Sequence, residues 1–151
     1  MNVAIELTDL PRRGVLVGVD HGRKRIGLAL SDANQTLAMP LTTLQVKSPQ
    51  HNAAQLCRVR DDYGAVGWVV GLPLHMSGEE SPQSALVREF GAWLEVATQR
   101  PVIYWDERLT SSAAEAVLWS LGESPNQDKS RIDGLAAQAI LQAYLRDRKP
   151  T

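Results

Sequence analysis

The chain has 151 residues, 44% hydrophobic and 22% charged, a balance that suits one globular domain and argues against a disordered chain or a large multi-domain machine. Sixteen Lys and Arg against 17 Asp and Glu leave a net charge of −1, so bulk charge does not drive the molecule onto nucleic acid or anionic lipid, and any such site must be local. A single cysteine, Cys57, supports neither an intrachain disulfide nor a thiolate metal cage, which fits a reducing, cytoplasmic setting. The richest apolar run, Val66–Leu72, is interrupted by Gly67 and Gly71 and falls far short of the roughly 18 residues that span a bilayer.

Residues 1–13 carry acids before bases and no apolar stretch; they read as a flexible leader ahead of a single domain over 14–149. Val15, Val17 and Val19 alternate with Leu16, Gly18 and Asp20, the period of a strand ending at Asp20. A turn, His21-Gly22-Arg23-Lys24, leads into a second alternating run from Ile26 to Ser31, so the two strands pair as a hairpin. Thr36–Leu44 is a weaker third strand whose Pro40 calls for an edge or irregular position.

Ser48-Pro49 is an N-cap followed by proline at the first helical position, predicting a helix over Pro49–Tyr63 that stops at Gly64. Trp68–Val70 is a short apolar strand. Ser81-Pro82 repeats the cap, and Leu86, Phe90, Trp93, Leu94 and Ala97 mark the expected buried face of a second helix. Pro101–Trp105 is the fifth strand. Ser112 with Glu115 forms a capping box for a helix ending near Gly122, and 123–130 is a polar linker. Ile132, Ala136, Ala139, Ile140 and Ala143 mark a last amphipathic helix. Three strands, then helix, strand, helix, strand and two helices, make an α/β fold with a five-stranded mixed sheet and helices packed against it.

Three acidic positions stand out. Asp20 lies at the C-terminal end of a strand that should be central, where ligands of open α/β sheets collect; Gly18, next on the same face, leaves space beside it, although a turn aspartate bonded to the backbone is an equally good local account. Asp106 and Glu107 follow the fifth strand, and because alternate side chains point to opposite faces, only one of them enters a given site. Asp133 has a structural explanation of its own, since Ser130 to Asp133 has capping-box spacing. Converging, the three segments would supply the hard oxygen ligands that Mg2+ or Mn2+ prefers. His21, His51 and His75 lack metal-ligand spacing and read as surface groups, and the four tryptophans read as packing. Arg23, Lys24 and Arg25 lie within five positions of Asp20, and Arg108 follows Glu107; beside metal-binding carboxylates these bases would neutralise a bound polyanion.

GVDHGRKRIGLALSD (18–32), GLPLHMSG (71–78), DERLTSSAA (106–114) and IDGLAA (132–137) resemble, in order and from about Val15 to Leu145, the four motifs of the YqgF family, also called the RuvX or pre-16S rRNA nuclease family. His75 stands where the family more often has asparagine, and Ser111 where it often has threonine. The resemblance implies a ribonuclease H-like fold related to RuvC-type Holliday junction resolvases. It also implies a cytoplasmic bacterial nuclease that matures the 5′ end of 16S ribosomal RNA, with a junction resolvase as the older reading. Asp20, Glu107 and Asp133 match the family's acidic positions, so the resemblance implies that they are the catalytic residues and hold one or two Mg2+ or Mn2+ ions, while Arg23, Lys24, Arg25 and Arg108 hold the nucleic-acid backbone. Pre-rRNA is the expected partner and branched DNA the alternative, the latter calling for a symmetric homodimer. Two rival readings are a nucleic-acid-binding module without hydrolytic activity and an ATPase with an Asp-x-Gly phosphate hairpin, which would need a second lobe.

Overall fold

The computed structural model describes residues 9–109 and 129–148, with backbone alone at Leu109 and 129–133. Strand β1 (Val15–His21) runs into the antiparallel β2 (Arg25–Ser31), with Gly22 N–H donating to the Arg25 carbonyl at 2.9 Å to close the turn. Strand β3 (Ala38–Gln45) pairs antiparallel with β2 as an edge, and the register skips one residue between Leu28↔Thr42 and Ala29↔Pro40. This bulge accommodates Pro40, which has no N–H to give to the ladder. Helix α1 (Pro49–Tyr63) begins where the Ser48 side chain accepts from His51 N–H and ends at Gly64, whose φ of 65° is the left-handed conformation that suits glycine.

Strand β4 (Ala65–Leu72) pairs in parallel with β1, helix α2 (Pro82–Thr98) starts with a reciprocal Ser81–Ser84 capping box, and strand β5 (Val102–Asp106) pairs in parallel with β4. A single 3-10 turn, Glu107–Leu109, follows, and helix α3 (Lys129–Asp147) ends the described fold. The sheet order is β3-β2-β1-β4-β5, so β1 is central. The helix expected over 112–122 lies outside the described residues. Of the polar linker expected over 123–130, Lys129 and Ser130 are helical, and 123–128 lie outside the described residues.

Alternation along β1 divides the core in two. Val17, Val19, Ile26, Leu28, Trp68 and Val70 pack under α1 and α2 with Leu56, Val87 and Leu94, while Leu16, Ala29 and Val69 pack under α3 with Ala137, Ile140 and Leu141. Trp68 is fully buried and its Nε1–H donates to Thr98 Oγ1 at 2.9 Å, satisfying the polar end that burial would otherwise strand. The buried face of α2 is rotated from the expected one: Ser84, Val87, Gly91 and Leu94 are inside, and Leu86 is 47% exposed. Gly91 is there because Tyr104 of β5 lies against it, leaving no room for a Cβ. On α3 the expected Ile140 and Ala143 are buried, joined by Leu135, Ala137, Leu141 and Tyr144 in place of the alanines at 136 and 139.

The last residues of the leader belong to the fold. Leu10 is 4% exposed in the α3-side core, Asp9 Oδ1 accepts from Tyr144 Oη at 2.9 Å, and Gln35 Nε2 donates to the Pro11 and Gly14 carbonyls. Two glutamines of α3 grip the far edge of the sheet: Gln138 Nε2 donates to the Ala38 carbonyl, while Gln142 accepts from Ala38 N–H and donates to the Thr36 carbonyl. Among the described residues no helix is long and apolar enough to cross a membrane.

Candidate active site

Leu16 and Gly18 face α3, so Asp20, two residues further, opens onto the same side at the C-terminal end of the central strand. Gly18 does not leave space beside it. A Cβ there would lie 2.7 Å from Leu141 Cβ and 2.8 Å from the Ala137 carbonyl, so the missing side chain is what lets α3 rest directly on β1. The lateral neighbours of Asp20 in the sheet are glycines. Gly27 of β2 stands opposite it, and Gly71 of β4 is next in the parallel register after Val19↔Val70.

The missing side chain of Gly71 is what lets Ile140 of α3 and Glu107 lie against β4. Ile103 and Trp105 of β5 face α3, and continuing the alternation sends Glu107 to the same face and Asp106 to the other. The Glu107 Oε2 atom sits 3.3 Å from the position of a Gly71 Cβ. Asp20 on β1 and the Glu107 carboxylate over Gly71 of β4 therefore stand on neighbouring strands of the sheet. Burial pushes the Glu107 carboxyl above its ordinary value, with Asp106 adding like-charge repulsion.

Asp106 is engaged elsewhere. It accepts from Arg108 through both carboxylate oxygens, and hydrogen bonding to that guanidinium holds its pKa down. Arg108 also donates to the Met76 carbonyl at 2.9 Å, tying the Pro73–Ser81 loop to the end of β5. The guanidinium proposed for phosphate contact is thus largely committed to protein acceptors.

The contacts of α3 fix its direction. Gly134 lies beside Pro40, Gln138 bonds Ala38, and Gln142 reaches Thr36, so the helix descends antiparallel to β3 and its N-terminal end lies toward the Asp20 end of the sheet. Asp133 is one turn before Ala137, the residue whose carbonyl lies over Gly18. Its backbone is thereby carried to the Asp20 end, and its side chain lies outside the described residues. The capping-box explanation for Asp133 does not hold, since Ser130 is inside the helix and not at its cap. Among the described residues no three of His, Cys, Asp and Glu form a metal-sized cluster.

Arg23 and Lys24 are exposed on the β1–β2 turn, and Arg25 is half-buried at the start of β2. His21 is no surface group: its ring stacks on Phe90 at 4.2 Å and 22°, and burial lowers its pKa. Sequence reasoning missed the part played by Gly71, which accommodates Ile140 and Glu107; a glycine on the strand flanking an acidic strand end is the signal that could have revealed it.

Solved structures share this architecture. Thermus thermophilus RuvC in complex with a Holliday junction substrate superposes with a TM-score of 0.57 at 18% identity, covering 88% of this chain and 95% of that one. The yeast mitochondrial Holliday junction resolvase Ydc2 gives 0.53 at 10% identity, covering 95% and 82%. The fold is of the ribonuclease H-like class that these resolvases share. Residues 14–147 match the family described as "RuvX: Holliday junction resolvase", and a Chloroflexus aurantiacus protein named "Putative pre-16S rRNA nuclease" is 44% identical over 135 residues, covering 89% of this chain and 88% of that protein. The chain belongs to the RuvX (YqgF) family.

Proposed function

We propose that this chain is a divalent-metal-dependent nuclease that processes the 5′ end of pre-16S rRNA in the cytoplasm. The observation that carries the reading is the pairing of Asp20 and Glu107 over adjacent strands at the open end of the sheet, beside the exposed Arg23-Lys24 turn. The names of its relatives support the substrate.

The donor set fits a hard cation. Asp20 and Glu107 offer carboxylate oxygens, Asp133 is assigned as the third ligand, and neither imidazole nor thiolate is in the set, which favours Mg2+ or Mn2+. Such an ion would lower the pKa of an attacking water and offset charge on the leaving oxygen. The protein's own part is to hold the acids on a rigid sheet and helix, with Glu107 recessed beside Gly71 where a bound cation would offset the cost of its buried charge. Arg23, Lys24 and Arg25 hold the phosphates on either side of the scissile bond, and Arg108 contributes through the loop it fixes.

Cleavage of a pre-rRNA, a four-way DNA junction and a single strand should be measured side by side with Mg2+, with Mn2+ and with chelator. Metal-dependent cleavage of the pre-rRNA that is lost in Asp20→Asn is expected. Preferred junction cleavage by a dimer would favour the resolvase reading, which the family's description supports. Binding without metal-dependent cleavage would leave a non-catalytic module.

A further inference from the structure

On the opposite face of the sheet from Asp20, a cavity of about 180 Å³ opens between β1, the start of β2, the β3–α1 connection and α2. The aromatic rings of His21, Phe90 and Trp93 line it together with Ile26, Val46 and Lys47. His21 stacks on Phe90, and Phe90 meets Trp93 at 5.7 Å and 39°, so three aromatic rings are gathered along one wall. We propose that this cavity is a stacking subsite for one unpaired nucleobase of the nucleic acid held at the candidate active site. The proposal rests on the nuclease reading above.

Position comes first. His21 directly follows Asp20 on β1 and points to the other face, so a strand crossing the β1–β2 turn meets the acids on one side and the cavity on the other. Charge comes second. The exposed Lys47 stands at the rim, and the Val46 N–H donates to the Lys24 carbonyl at 2.9 Å, which ties the Arg23-Lys24 turn to that rim. No carboxylate is among the lining residues, so phosphates on either side of an inserted base meet cations. Size comes third, because drug-sized ligands need about 300–1,000 Å³ and this cavity admits little more than one flat ring system. Asn52 also lines the cavity, but its amide is committed to the Gln45 carbonyl, Gln55 Oε1 and Lys47 N–H. It does not read a base edge, and recognition is stacking that tolerates any base.

The test is an abasic scan. In the cleavage-silent Asp20→Asn protein with Mg2+, affinity is measured for a single strand of about 12 nucleotides, as RNA and as DNA, with one base removed at each position in turn. One position, in either strand type, should lose about 5- to 100-fold when its base is absent. Adding Phe90→Leu should flatten the scan at that position and leave its salt dependence unchanged. Val46→Trp, which fills the cavity from an exposed rim residue, should do the same and covers the case in which Phe90→Leu does not fold. A flat scan on a strand that binds normally overturns the subsite while leaving the nuclease reading standing. Failure to bind any strand overturns the subsite, and the cleavage assay on pre-rRNA then decides the nuclease reading separately.

Discussion

Gly18→Ala tests whether the seating of α3 on β1 builds the site. The added methyl would lie 2.7 Å from Leu141 Cβ and 2.8 Å from the Ala137 carbonyl oxygen, whereas carbon atoms in contact prefer about 3.5 Å. Neither obstructing atom belongs to a rotatable chain end, so rotamer changes cannot relieve the clash, and α3 must move off β1 by about 0.8 Å. Overpacking of this kind costs about 1–3 kcal/mol. At about 2–4 °C per kcal/mol for a domain of this size, that corresponds to a fall in Tm of about 2–12 °C. Because Asp133 rides on α3 and Asp20 on β1, their separation changes by the same amount, and a displacement near 1 Å is worth about 10²-fold in rate.

Thermal unfolding by circular dichroism and metal-dependent cleavage at 25 °C, where the variant remains folded, measure the two effects. Gly64→Ala supplies the control. A Cβ there meets nothing within 4 Å, but the residue sits at φ 65°, so this variant should lose about 1–2 kcal/mol through backbone strain while keeping its rate. A Gly18→Ala protein with wild-type Tm and rate would refute the seating argument. Equal rate losses in both variants would show that activity follows global stability instead.

Glu107→Gln should abolish cleavage, whereas Asp106→Asn, on the opposite face and bonded to Arg108, should retain it at a reduced rate; a dead Asp106→Asn beside an active Glu107→Gln would reverse the assignment. Asp133→Ser should depress cleavage and diminish the rise in Tm produced by Mg2+, and unchanged values of both would remove it from the ligand set. Replacing Arg23, Lys24 and Arg25 with alanine should flatten the salt dependence of RNA binding by about 0.7–0.9 in logarithmic slope for each phosphate that is no longer neutralised; an unaltered slope would locate the binding surface elsewhere. Asp32 accepts from the Leu37 and Thr36 N–H groups and from the Thr36 hydroxyl, which lower its pKa from 3.8 to about 2. A depressed carboxylate stabilises the fold above its unfolded pKa and loses that contribution as pH falls through the folded one. Acid unfolding followed from pH 4 to about pH 2 should therefore be less steep in Asp32→Asn, and an unchanged profile would discount that turn.

Local rules determined much of this protein from sequence alone. Ser48-Pro49 and Gly64 bound α1 at its observed residues, because capping and left-handed glycine depend only on neighbours in the chain. Strand alternation separated Asp106 from Glu107 without any tertiary information, since side-chain direction has a fixed period of two. Pro40 called for an irregular edge, and the missing N–H produced one. Tertiary packing decided the rest. Gly18 reads as empty space in the sequence, and only the approach of Leu141 and Ala137 from more than 100 positions away fills it. His21 looks like a polar turn residue until Phe90 of α2 covers its ring, and Arg108 looks like a phosphate contact until Asp106 and the Met76 carbonyl take up its donors. Periods and caps are set by covalent geometry within a few residues, whereas which surfaces meet is set by non-local burial, and in this chain that is what brings Glu107 over Gly71 beside Asp20.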